Sequence, residues 1–141
     1  ARGYAPAMSQ NGQQPLPLIM MRELADNVAT PLFLVDRHGV LVYYNEAAEV
    51  LLGLRFVDAG SLTAEQWSAR WAAEDVNGHP LPADARPLAV AMRERKPSHR
   101  GMKLLTGDGE RTIEVTAFPL LARADEVVGA VAIFWDTTGA A

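Results

Sequence analysis

Three histidines, 17 acidic side chains and no cysteine bound the chemistry open to this 141-residue chain. Without cysteine there are no disulfides, no thiolate metal sites, no cysteine nucleophile and no cysteinyl-flavin photochemistry. His38 falls within Asp36-Arg37-His38-Gly39 and His79 within Asn77-Gly78-His79-Pro80-Leu81-Pro82. Both stretches are rich in turn-forming residues, so both imidazoles are expected in solvent rather than on a metal. His99 stands alone at the start of an extended run. Glu74 and Asp75 are adjacent, so their side chains diverge and do not form a carboxylate dyad. Gly107-x-Gly109 lies in a hairpin turn rather than ahead of a helix, the wrong context for a phosphate loop. There is no His-Glu-x-x-His and no nucleophile elbow. The inventory is that of a non-catalytic domain with no metal site.

Charge excludes a further class. The net charge is −4 and the pI about 5.3, whereas a nucleic-acid face needs clustered Lys and Arg. The one tight basic group, Arg93, Arg95, Lys96 and Arg100, is interrupted by Glu94 and reads as a solvated helix end.

The length suits one domain with a single real core. Residues 1–17, rich in Gln, Pro, Gly and Ala, are expected to form a flexible tail or linker. The opening on Ala1 is expected of a fragment, with Met8 an alternative native start. From there Leu18, Met21, Leu24 and Val28 recur at helical spacing and predict a short amphipathic helix ended by Pro31. Its apolar stripe needs a cover, either the rest of the chain or a second copy. Leu32 to Val35 and Val40 to Tyr44 read as a hairpin around the Asp36–Gly39 turn. Asn45 is placed to cap a helix over Glu46 to Leu52, and Gly53 to end it. Thr63 caps a predicted helix over 64–73, carrying Trp67 and Trp71 four apart. Asp84 caps another, running to Arg95. Gly101 to Leu105, Arg111 to Leu121 and Val127 to Trp135 complete the pattern as three antiparallel strands. The stretch 112–117 alternates between apolar and polar, whereas 127–135 is apolar on both faces and must be central. Nine apolar residues are too few to span a bilayer, and no signal peptide is apparent, so a cytoplasmic setting is expected.

Strand pair, short helices, then three strands is an order that resembles the PAS domains of bacterial signalling proteins. Leu34-Val35-Asp36-Arg37-His38-Gly39-Val40-Leu41 with Tyr44-Asn45-Glu46-Ala47-Ala48 and Leu52-Gly53 is similar to that family's opening signature. Asn77 to Pro82, Arg86-Pro87-Leu88-Ala89, Gly129-Ala130-Val131 and the closing Asp136-Thr137-Thr138 extend the resemblance over about residues 22 to 138. It implies an α+β PAS fold, a five-stranded antiparallel sheet in order 2-1-5-4-3, with helices on one face enclosing a cleft. The domain then occupies 18–138 and a tail 139–141.

The resemblance also implies a sensory role. Trp67, Trp71, Leu88, Met92, Met102, Leu104, Ile113 and Val115 should converge at the cleft, either filling it or walling a pocket for a small apolar ligand. Asp136 and Thr138 carry the D-x-T motif that ends such sensors where a connecting helix leaves for an output domain, such as a histidine kinase, cyclase or phosphatase. With so little chain beyond the motif, an excised domain is expected. Leu18, Met21, Leu24 and Val28 are the candidate homodimer contacts. The cofactor is left undetermined: covalent flavin is excluded by the missing cysteine, and the axial histidine of haem-binding members has no counterpart within the 84–95 helix. The function expected is a sensor that binds a small apolar ligand and relays a signal, or else a ligand-free dimerisation and relay module.

Overall fold

A computed structural model describes residues 14–138, so residues 1–13 of the expected 1–17 tail and the whole 139–141 tail lie outside the described residues. Six strands form one antiparallel sheet in the order β2-β1-β6-β5-β4-β3. They are β1 (Leu32–Asp36), β2 (Leu41–Tyr44), β3 (Ala73–Glu74), β4 (Ser98–Thr106), β5 (Gly109–Leu121) and β6 (Val127–Asp136). The five long strands keep the expected order, and the added sixth is a two-residue edge strand. It exists because the helix of Trp67 is shorter than its apolar spacing implied. Trp71 leaves helical geometry at φ −116°, ψ 77°, which frees Ala73 and Glu74 to pair with Leu104 and Lys103.

Helices cover both faces, unequally. On the inner face lie α2 (Glu46–Leu52), α3 (Phe56–Ala59), α4 (Ala64–Arg70) and α5 (Pro87–Glu94). On the outer face α1 (Leu16–Ala25) packs alone, through Leu18 and Ala25 against Leu34 and Val131. Alternation along β5 divides the two cores as expected, with Ile113, Val115 and Ala117 buried inward. β6 runs between β1 and β5 with both faces covered, which accounts for its continuous apolar sequence.

Among the other boundaries that move, three have a specific cause. Residues 16 and 17, expected in a tail, belong to α1, because Pro17 is tolerated in a first helical turn. The same helix stops at Ala25, so Val28 lies beyond it. The reason is Asn45, whose Nδ2 donates to the carbonyls of Ala25 (3.0 Å), Val28 (3.4 Å) and Thr30 (2.9 Å). Its Oδ1 accepts from the amides of Leu32 (3.0 Å) and Ala48 (3.1 Å). One buried side chain thus caps α2 and ends α1 across the sheet edge. The third boundary concerns Asp84. It caps nothing; it sits in a 3-10 turn (Ala83–Ala85), and Arg86 takes the N-cap position with Pro87 as the first helical residue.

Candidate functional site

The β1–β2 turn sets up the inner layer. Asp36 Oδ1 accepts from the amides of His38 (2.8 Å) and Val40 (3.1 Å), closing the turn locally. Gly39 there adopts φ 79°, and its carbonyl accepts the indole N–H of Trp67 at 2.8 Å. Thr63 and Gln66 form a capping box that starts α4 and so aims Trp67 and Trp71 at the sheet. Trp71 in turn donates its indole N–H to the Leu52 carbonyl at 3.1 Å. Both indoles therefore spend their polar atom on backbone, and their rings pack edge-on around Phe33, with centroids 5.2 and 6.1 Å from it.

Between these rings and the sheet is a small cavity of about 40 Å³. The structure brings seven of the eight expected cleft residues together on its wall: Trp67, Trp71, Leu88, Met102, Leu104, Ile113 and Val115. Met92, the eighth, lies one turn along α5 and packs against the same core without lining the cavity. Phe33, Leu52, Pro87, Ala132 and Phe134 add to the wall, and Arg86 is its one charged member. A volume of 40 Å³ has room for about a water molecule or two, while a dry cavity that binds benzene measures about 150 Å³. Leu52 and Trp71 also wall an open groove of about 460 Å³ on the protein surface. The small cavity and the groove thus share Leu52 and Trp71 as wall residues.

Arg86 was not foreseen as a site residue. Only 6% exposed, it donates from Nη1 to the Trp71 carbonyl and from Nη2 to the Ser68 carbonyl, both at 2.9 Å. Its Cζ lies 5.8 Å from the Trp67 ring centroid. Its Nε is buried without a hydrogen-bond partner. Burial lowers the guanidinium pKa to about 10, and no carboxylate offsets it. Arg86 stands directly before the helix-starting Pro87, within the Arg86-Pro87-Leu88-Ala89 stretch of the family resemblance, but neither periodicity nor spacing marks such a residue as buried.

The other candidates lie elsewhere. His99 is on the outer face of β4, with Nδ1 2.7 Å from Thr116 Oγ1 and Nε2 2.8 Å from Glu114 Oε1, so no histidine lines the cavity. His79 is exposed and sits 3.4 Å from Asp75. Asp75 bonds the His79 and Asn77 amides, which outweigh burial and lower its pKa. Among the described residues no cluster of three or more His, Asp or Glu is placed to hold a metal. None of the helices described is long and apolar enough to cross a membrane.

Asp136 and Thr138 tie the end of β6 to the start of β5. Asp136 Oδ1 accepts from the Thr138 amide at 2.9 Å, Oδ2 lies 3.4 Å from Arg111, and Thr138 Oγ1 accepts from the Thr112 amide at 2.7 Å. Burial raises the Asp136 pKa, but the Thr138 bonds and Arg111 overcome it and leave it lowered. Of the candidate dimer contacts, Leu18 is buried at 2% exposure in its own subunit and Met21 packs beside it. Leu24 and Val28 remain exposed, at 51% and 37%.

A family model described as the PAS fold matches residues 25–141. No curated protein matches the sequence. Among solved structures, the PAS domain of a protein from Colwellia psychrerythraea is similar at 20% identity and a TM-score of 0.60, covering 84% of this chain and 95% of that one. The PAS domain of Bordetella pertussis BvgS is similar at 17% identity and a TM-score of 0.58, covering 84% and 85%. That of nitrogen regulation protein NR(II) from Vibrio parahaemolyticus matches at 15% identity and a TM-score of 0.60, covering 87% and 99%.

Proposed function

The chain belongs to the PAS-fold family, a family of sensory and regulatory domains, and on that premise we propose that it senses a small, largely apolar ligand in the cleft between α4, α5 and the sheet. The observation that carries this reading is the shared wall at Trp71. A cavity of about 40 Å³ lined almost wholly by apolar side chains adjoins a groove of about 460 Å³, and Trp71, with Leu52, walls both. Ligand pockets are mostly apolar and measure roughly 300–1,000 Å³, a size the cleft would approach only with the Trp71 ring displaced. The ring is held by one hydrogen bond to Leu52, by edge-on packing against Phe33 and Tyr44, and by Arg86 on its own carbonyl. In this reading the conformation described is the closed one, and a ligand acts by favouring an open one. Occupancy is passed along β5 and β6 to Asp136 and Thr138, and from there to a tethered output domain such as a histidine kinase, cyclase or phosphatase.

Native mass spectrometry of the purified protein, joined to thermal shifts with short-chain alcohols, tests it. A retained ligand or a dose-dependent rise in Tm supports the pocket. A clean protein mass with no shift from any probe would overturn it.

A second reading, a ligand-free dimerisation and relay module, is favoured by the small volume itself and by α1. Leu16, Met20 and Leu24, four residues apart, are 65%, 61% and 51% exposed on the side of α1 turned from the sheet. That moves the candidate contact surface from Leu18 and Met21 to these three. Leu24→Glu should then abolish concentration-dependent sedimentation without loss of fold; unchanged sedimentation would count against the module.

A further inference from the structure

We propose that the ligand of this cleft is anionic, a small molecule with an apolar body and a carboxylate that pairs with Arg86; the assignment rests on the pocket reading above. The surroundings of Arg86 carry it. Arg86 is 6% exposed as a residue and its Nε is fully buried, and such a cation calls for a counter-charge, because burying an unpaired cation costs far more than burying a neutral group. Among the described residues none supplies it: the groups that touch Arg86 are two backbone carbonyls and the Trp67 ring. The carbonyls belong to the last turn of α4, a favourable place for a cation, yet they use only one proton on each Nη. The Nε proton is left without a partner. A residue serving only to hold those carbonyls would not need a guanidinium's fifth donor buried and unused.

The rest of the wall determines what the anion is attached to. Apart from Arg86 it is apolar, with Met102, Leu88 and Phe134 among its members, so a ligand of this cleft presents one charge and an otherwise apolar surface. The planar fork of arginine matches a carboxylate with two parallel bonds. Upkeep of the closed state follows from the same contacts. Arg86 holds the Trp71 carbonyl, so a carboxylate that draws the guanidinium toward itself would loosen the wall that Trp71 makes.

The test compares acetate, butanoate and hexanoate with ethanol, butanol and hexanol, by thermal shift and calorimetry on the same protein. The expected result is that a carboxylate binds about tenfold or more tighter than the alcohol of its length, as a charge-assisted bond does over a neutral one. The preference should persist at high salt (about 0.5 M), since a buried pair is screened little. Arg86→Gln should erase it while leaving alcohol binding in place. Should that variant fail to fold, the wild-type preference and its salt dependence still decide. Equal binding of acid and alcohol would keep the pocket and overturn the anion. A preference that vanishes with salt would assign the anion to the surface cluster of Arg93, Arg95 and Lys96, and would also overturn it. Binding of neither series would sink the pocket and the anion together.

Discussion

The two faces of the sheet are built to different rules. The inner face is aromatic and layered: Phe33 stacks on Tyr44 at 5.8 Å with rings 3° apart, and Trp67 and Trp71 meet it edge-on. Large rings pinned by hydrogen bonds leave gaps where they meet, and the cavity lies in one of them. The outer face has a mainly aliphatic centre, with Tyr43 and Phe118 at its margin, and packs closely. Gly129 on β6 has no side chain, and Leu18 of α1 occupies the space above it; a Cβ there would lie 3.0 Å from Leu18 Cδ2 and 2.5 Å from the Val35 carbonyl. One face leaves a gap between its rings and the other is filled by contact, so under the proposed function ligand-dependent change should fall on the inner face and register be held on the outer.

Four changes would break or sharpen that contrast. The largest effect should come from Phe33→Ala, which removes the ring on which the inner aromatics meet. A loss of about 3–5 kcal/mol in urea unfolding is expected, and a loss below about 1 kcal/mol would mean the inner layer repacks without it. Next is Asn45→Ala, which strips the residue that joins the faces. About 3 kcal/mol should be lost, more than a lone helix cap contributes, with faster hydrogen exchange at the Leu32 amide. Protection unchanged at that amide would show the junction held by something else. Gly129→Ala should cost about 1–3 kcal/mol by forcing β1 and α1 to shift, and should leave probe binding to the inner cleft unaltered. Equal damage to probe binding would refute the separation of the faces.

The smallest effect is a pH dependence. Burial, and after it the hydrogen bond to Asp26, raises the Tyr43 hydroxyl to about 12 on the outer face. Burial also raises Tyr44 to about 12 on the inner face, where it donates to the Leu54 carbonyl at 2.6 Å. A phenol whose folded pKa lies above the ordinary 10 contributes stability that is whole below pH 10 and lost as pH rises through 12. Stability should therefore begin to fall above pH 10. Tyr43→Phe should remove the part of that fall that accompanies release of α1, and Tyr44→Phe the part that accompanies loosening of the inner layer. A fall unaltered in both variants would place its origin elsewhere.

Local chemistry was enough for much of this. The Asp36–Gly39 turn, the Asn45 and Thr63 caps, the Gly53 stop and the strand alternation at 112–117 are each written within a few neighbouring residues. Such signals act over one turn, so a sequence carries them whole. The family resemblance, applied to apolar residues, pointed to seven of the cavity's wall residues, since a shared fold brings the same inward positions together.

Long-range partners decided the remainder. The end of α1 depends on an asparagine 20 residues away in the chain, and the edge strand β3, freed by the early end of α4, also needs β4 beside it. Leu18 and Leu24 look alike in sequence, but the close approach over Gly129 buries one and leaves the other in solvent. Arg86 shows the limit most plainly. Nothing in its neighbours marks it for burial; α4 and the Trp67 ring close over it only when the sheet sets their positions. Charge and capping propensity are properties of a residue and its near neighbours, but the dielectric around a side chain is made by the whole fold, and that is why the burial of Arg86 is visible only in three dimensions.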